Sequence, residues 1–235
     1  MKKRTDYPNK FFEAIAVLLF MTFLFVPGRE AVAADIDRMI MNLQSNDLQV
    51  RLSALEELDG MKDGKVVDAL LNLIWNKGED WRLKIKAIRL LGEIQDTGIA
   101  EELRVVFNDP FLNYECPAMK WYTALALGKG FNKGSRAVDS LIEALNYDNL
   151  LVREAVIESL GNIGDSRAVP FLIPALNDKS FAIKNSTIRA LESIGDPQAI
   201  PFLKRTAEND SDPDIKKEAQ SVLKNFASRY GVTSY

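Results

Sequence analysis

An apolar residue followed by a basic one, with a leucine seven places beyond the basic residue, recurs six times along this 235-residue chain. The pairs are Val50-Arg51, Leu83-Lys84, Met119-Lys120, Val152-Arg153, Ile183-Lys184 and Ile215-Lys216, and the leucines are Leu58, Leu91, Leu127, Leu160, Leu191 and Leu223. The basic residues are spaced by 33, 36, 33, 31 and 32 positions. A period of this size means that one small unit is stacked repeatedly, so each unit contacts mainly its neighbours and the chain forms an array instead of one closed core.

Each pair sits in the same local grammar. Four residues before the basic residue stand Asp47, Asp80, Cys116, Asn149, Ser180 and Asp212. Five of these six are side chains that accept hydrogen bonds from the free amides of a helix's first turn, so each pair lies near a helix start. Apolar residues come next at helical spacing, as in Val50, Ala54, Leu58 and Met61 or Val152, Val156, Leu160 and Ile163, which predicts one buried face about four turns long. The helix ends at small-residue breaks such as Gly161-Asn162-Ile163-Gly164-Asp165 and Ser193-Ile194-Gly195-Asp196, where glycine accepts a left-handed turn and aspartate caps the next helix.

A second helix is predicted directly after each break. Its core columns read Val67, Ala100, Val138, Val169, Ile200; then Leu70, Leu103, Leu141, Leu172, Leu203; then Ile74, Phe107, Leu145, Leu176, Ala207. The unit is therefore an antiparallel helical hairpin that cannot bury its own apolar face without neighbours. Ile36, Met39, Ile40 and Leu43 fit a lone second helix at one end, and 212–228 fits a lone first helix at the other. The predicted fold is all-α: a solenoid of about six stacked hairpins over 35–228, with a short tail over 229–235. Pro174, inside an apolar helical run, is expected to remove one backbone hydrogen bond.

The run from Leu160 to Asp178, Leu-Gly-Asn-Ile-Gly-Asp-Ser-Arg-Ala-Val-Pro-Phe-Leu-Ile-Pro-Ala-Leu-Asn-Asp, and its partial repetition over Leu191 to Leu203 resemble the short HEAT-like repeats of the phycobilisome-lyase type. The resemblance spans about 35–226 and is strongest in the last repeats. It implies a HEAT-like or armadillo-like superhelix that binds other proteins, with a minority of relatives handling bilin chromophores. An ankyrin array is excluded by the absence of histidine, and the Trp and Tyr positions of tetratricopeptide units are not matched.

The first 34 residues obey other rules. Lys2, Lys3, Arg4 and Lys10 precede a thirteen-residue apolar run, Ala14 to Val26, broken only by Thr22, and Ala31-Val32-Ala33-Ala34 supplies small residues. This pattern predicts a signal peptide cleaved near Ala33 or Ala34, placing the chain in the periplasm or outside the cell. An uncleaved anchor is the alternative, although the run is shorter than the roughly 20 residues of a membrane span. Five of the 30 basic and three of the 33 acidic residues fall in this segment, which leaves the remainder at a net charge of −5. Without a cluster of Lys and Arg to displace counterions, nucleic acid is not an expected partner.

Zero histidines exclude His-dependent nucleophile systems, imidazole metal sites and the His-Glu di-iron arrangement. The single cysteine, Cys116, beside Pro117, is expected to be a half-buried structural residue unable to form an internal disulfide. The stretch from Asp210 resembles a calcium loop only at its start, since Ile215 and Ser221 stand where glycine and glutamate are needed. Gly128 to Ser135 has Lys133 before Gly134, the wrong order for a phosphate loop, and is expected to be an inter-helix loop. No catalytic constellation, metal site or cofactor is implied.

Arg51, Lys84, Lys120, Arg153, Lys184 and Lys216 are expected to form a structural ladder between repeats. Positions one, five and eight after the first core column predict an outward stripe on the second helices. It comprises Asp68, Asn72, Trp75; Glu101, Val105, Asn108; Asp139, Glu143, Asn146; Pro170, Pro174, Asn177; and Pro201, Arg205, Glu208. The resemblance implies that this stripe lines the concave face. Its first three units are acidic, which suits a protein partner with a basic patch. A second cluster gathers Trp81, Phe111, Tyr114, Trp121, Tyr122 and Phe131 in the longest repeat, as recognition residues or as filling for a misfit between units.

The expected function is an exported, non-catalytic scaffold that binds a protein through Asp68, Trp75, Glu101, Asp139 and Glu143, with Trp81, Tyr114, Trp121 and Tyr122 as further candidates. The alternative is a bilin or tetrapyrrole lyase-like, cofactor-handling protein with carboxylates beside Tyr114, Trp121 or Tyr122. Membrane contact is expected only through an uncleaved N-terminal segment.

Overall fold

The computed structural model describes residues 29–94, 96–114, 117–129 and 136–231. Among these residues there are thirteen α-helices, short 3₁₀ turns and no strand. Two compact units divide at Leu58, one ending there and the other running from Asp59 onward.

The first unit holds α1 (Arg29–Asn42) and α2 (Leu48–Glu57), packed on each other. Ile36 and Leu43 are buried in it, as are Ala54 and Leu55 of α2. The expected cleavage positions Ala33 and Ala34 fall inside α1.

The second unit contains α3 (Gly64–Trp75), α4 (Trp81–Glu93), α5 (Thr97–Asn108), α6 (Pro110–Tyr114), α7 (Pro117–Gly128), α8 (Arg136–Glu143), α9 (Leu150–Ile163), α10 (Val169–Leu172), α11 (Phe181–Ile194), α12 (Ile200–Asn209) and α13 (Pro213–Tyr230). The first helices of the repeats stack in series, α4 on α7, α7 on α9, α9 on α11 and α11 on α13. Each second helix packs on the first helix that follows it, as α3 does on α4, α5 on α7 and α12 on α13. The extra helix α6 lies between α5 and α7, which accounts for the 36-residue spacing there.

The capping residues act as their chemistry dictates. Asp47 accepts from the Gln49 amide (2.7 Å), Asp80 from Arg82 (2.8 Å), Asn149 from Leu151 (3.0 Å), Ser180 from Ile183 (3.5 Å) and Asp212 from Asp214 (2.8 Å). Gly164 and Gly195 end α9 and α11 at φ 68° and 73°, a left-handed backbone that a Cβ disfavours. Asp165 and Asp196 then cap the following turns through the amides of Arg167 and Gln198.

Helix-to-helix distance is set by small residues. A Cβ added to Gly92 would lie 2.7 Å from that of Ala126, one on Gly128 2.8 Å from Ser159 Cα, and one on Gly161 2.8 Å from Ala190 Cα. These glycines each follow the repeat leucine, so the first helices meet backbone to backbone at every seam from α4 to α11. Ser159 Oγ and Ser193 Oγ donate across the seams to the carbonyls of Ala124 (2.8 Å) and Gly161 (2.9 Å). Gly128, expected in a loop, is thus the last, buried residue of α7.

The leucine column from Leu70 to Leu203 is buried throughout. The first column is buried at Ala100, Val138 and Val169 and half-buried at Val67 and Ile200, and the residue one place earlier, Val66, Ile99, Ala137, Ala168 or Ala199, is buried in every unit. Leu145 is likewise half-buried beside buried Ala144. Val50, read as core, is 40% exposed, whereas its counterparts Leu83, Met119, Val152, Ile183 and Ile215 are at most 3% exposed.

The fourth repeat's second helix is broken into 3₁₀ (Ser166–Ala168), α10 and 3₁₀ again (Ile173–Asn177). Pro174 has no amide to return to Pro170, so the ladder tightens after Leu172. At the chain's end α13 continues past the expected boundary at 228 to Tyr230, whose hydroxyl donates to the Gly195 carbonyl.

Candidate partner-binding surface

The basic ladder fixes the repeats that carry the surface. Lys184 Nζ donates to both oxygens of Asp210 at 2.7 and 2.8 Å, and only 11% of either side chain is accessible. Arg153 donates to the Tyr147 carbonyl at 2.9 Å and reaches Asp178 at 3.6 Å. Lys120 donates to the Phe107 carbonyl at 2.9 Å and lies over the rings of Phe107 (4.1 Å) and Tyr147 (5.1 Å). Tyr147, Asp178 and Asp210 occupy one repeat position, so each cation grips the turn that begins the following repeat. Lys84 is buried, and Arg51 and Lys216 are half-buried.

Burial pushes the Asp210 carboxyl up. The Lys184 hydrogen bond, the Asp212 amide and the charges of Lys184 and Lys216 outweigh it and hold Asp210 below its ordinary value. For Lys120, desolvation lowers the ammonium's pKa.

The outward stripe of the second helices is exposed at every predicted position except Glu101, which is half-buried. Its charge is more committed than the sequence pattern suggests. Glu101 accepts from Arg104 at 2.6 and 3.0 Å and from Arg136 at 2.9 Å, and the Arg104 bond holds its carboxyl below the ordinary value. Asp139 accepts from Arg167 at 2.9 Å, and Arg167 also grips Asp165 at 3.0 Å. The Asp165 bonds, with Asp139 adding, raise the Arg167 pKa. Asp68 and Glu143 make no ion pair among the described residues.

Trp75 is 38% exposed and Val105 is 41% exposed on the same stripe. Two further large apolar residues, Phe171 (54%) and Phe202 (37%), border it in the fourth and fifth repeats. Neither was among the sequence candidates. Both stand directly after prolines 31 residues apart, which was the available signal.

The aromatic cluster of the longest repeat separates into two groups. Trp121 and Tyr122 are half-buried and pack edge to face with centroids 4.5 Å apart. Trp81 and Phe111 are exposed, 57% and 81%, with Lys77 6.0 Å from the Phe111 ring. Cys116, Phe131 and the Tyr114 side chain lie outside the described residues. Among the described residues no group of acidic or thiol side chains could hold a metal ion, and no helix is long and apolar enough to cross a membrane.

The family described as HEAT repeats matches residues 110–180 and 138–224. No curated protein sequence matches significantly. Among solved structures, the chain is similar to the complex of CpcE and CpcF of phycocyanin lyase from Nostoc sp. PCC7120, with 24% identity, a TM-score of 0.55, and 80% of this chain and 75% of that one covered. It is also similar to a designed armadillo repeat protein in complex with the peptide (KR)4, with 18% identity, a TM-score of 0.56, and 82% and 99% covered. An engineered protein shares 19% identity at a TM-score of 0.55, covering 83% and 97%. The fold is therefore that of the HEAT-like and armadillo-like helical repeats.

Proposed function

We propose that the chain is an exported, non-catalytic scaffold that holds a protein partner along the outward stripe of its second helices. The observation that carries this reading is the exposure of Trp75 and Val105 on that stripe, bordered by Phe171 and Phe202, above columns that are largely buried. Large apolar side chains left partly in water on four of the repeats suit a surface that a partner covers. Asp68 and Glu143, uncommitted inside the chain, would speed the approach of a basic partner. Glu101 and Asp139 serve instead to fix neighbouring arginines. The designed armadillo protein that holds (KR)4 is a precedent for a basic peptide on such an array. Export rests on the basic start, apolar run and small residues of the first 34 positions.

The test is co-purification of the tagged chain from its native envelope fraction after mild crosslinking, with mass spectrometry and an absorbance spectrum on one sample. A stoichiometric protein that is lost with Trp75→Ala, Asp68→Lys and Glu143→Lys combined is the expected result. Retention of that protein by the triple variant refutes the assignment, and a visible absorbance band moves the cofactor-handling alternative to first place.

A further inference from the structure

We infer that the groove where the last two repeats meet, at the C-terminal ends of their second helices, is a binding site for a carboxylate of an acidic peptide segment. The groove has a volume of about 440 Å³ and runs between the turn at Asn177 to Lys179 and the turn at Asn209 to Ser211. Its charges are Lys179, Lys184 and Arg205 against Asp178 and Asp210, a net of +1.

Where that charge is available matters more than the sum. Asp210 is taken by Lys184 and by the Asp212 amide at 2.8 Å. Asp178 accepts from the Ser180 amide at 2.7 Å and lies 3.6 Å from Arg153. Both carboxylates thus have internal cations, Lys184 and Arg153. Lys179 and Arg205 are exposed and make no hydrogen bond or ion pair among the described residues. The amides of Asn177 and Asn209 stand exposed beside them as neutral donors.

Two uncompensated cations with neutral donors favour an anion, and the guanidinium fork of Arg205 matches the two oxygens of a carboxylate. A phosphate near neutral pH carries close to two charges, and Asp178 and Asp210 in the walls repel the second. The groove is also larger than one carboxylate needs, and through Asn177 and Arg205 it continues into the outward stripe. A peptide chain bearing Glu or Asp fills it. The assignment goes beyond the scaffold reading and does not depend on it, because it concerns an acidic ligand in a groove of net positive charge.

The experiment is fluorescence anisotropy of a labelled acetyl-tetraglutamate peptide on the full chain, with inorganic phosphate as competitor. Wild type is expected to bind the peptide. Lys179→Glu with Arg205→Glu should weaken binding by roughly ten-fold or more, the loss of two charge-assisted contacts. Lys217→Glu, on the outer face of α13, should change it by less than about two-fold, and Asp68→Lys with Glu143→Lys should not weaken it. No binding by wild type, equal binding by the double charge reversal, or displacement of the peptide by an equal concentration of phosphate each overturns the assignment. Loss of partner capture by the stripe variant with peptide binding intact separates the two surfaces.

Discussion

Replacing Lys184 with methionine removes an ammonium from a nearly dry seam while keeping most of the aliphatic stem. The residue is 9% exposed, and its two bonds to Asp210 are 2.7 and 2.8 Å long. Exposed pairs contribute about 0–1 kcal/mol, whereas deleting one partner of a buried pair costs about 3–5 kcal/mol. Asp210 keeps the Asp212 amide and the charge of Lys216, so the expected loss is about 2–3 kcal/mol. Asp210→Asn leaves a buried ammonium without its anion and should cost about 2 kcal/mol. The double variant should lose less than the sum, by roughly 1.5 kcal/mol or more. Urea midpoints, with amide exchange over α12 and α13 to localise the effect, measure this, because arrays open seam by seam. The pH dependence has a fixed sign. The Asp210 carboxyl is held below its ordinary value in the fold, so its contribution is full above the unfolded value of about 4 and disappears as pH falls through the folded value. A Lys184→Met variant within about 0.5 kcal/mol of wild type at pH 7, or a deficit as large at pH 3 as at pH 7, would falsify the account.

Gly161→Ala should destabilise by about 1–2 kcal/mol, since a clash at 2.8 Å with the Ala190 Cα exceeds the gain in helix propensity; adding Ala190→Gly should restore little of it in the same denaturation assay, because the backbone contact remains. Gly164→Ala, at φ 68°, should cost about 1 kcal/mol, while Gly64→Ala, with nothing within 4 Å, should be neutral or slightly stabilising. Pro174→Ala returns an amide to the fourth repeat and should convert its 3₁₀ segment towards α-helix, visible as added helical circular dichroism without loss of stability. Trp75→Ala should cost clearly less than the roughly 3–5 kcal/mol of a core tryptophan, because the side chain is 38% exposed, which separates a surface position from a core role in the same denaturation assay.

The caps and breaks were readable because they depend on residues one to three places away: Asp80, Asn149 and Asp212 bond amides of their own helix. The phase of the second-helix core was less readable. Val66 and Val67 both fall within the arc an apolar face can bury, and packing against α4, a tertiary fact, selects Val66. The pair Glu101–Arg104 obeys the spacing rule for one helix face, whereas Asp139 and Arg167 stand 28 residues apart and meet only because repeats stack. The acidic stripe therefore looked more open than it is. Phe171 and Phe202 were hidden for a similar reason: prolines break the helical period in the fourth repeat, so phase alone does not assign their exposure.

The seams gripped by Lys120, Arg153 and Lys184 do not share one chemistry. The Lys120 seam closes on a carbonyl and two rings, none of which takes up a proton, while the Lys184 seam closes on a carboxylate that takes one up only in strong acid, below the ordinary carboxylate range. Acidification below about pH 4 would therefore act on this chain directionally, loosening the α11–α13 end while the α7 end stays shut, and milder acid would leave both seams closed. The stack is thus graded in its response to protons, and strong acid would open it at the Lys184 seam first.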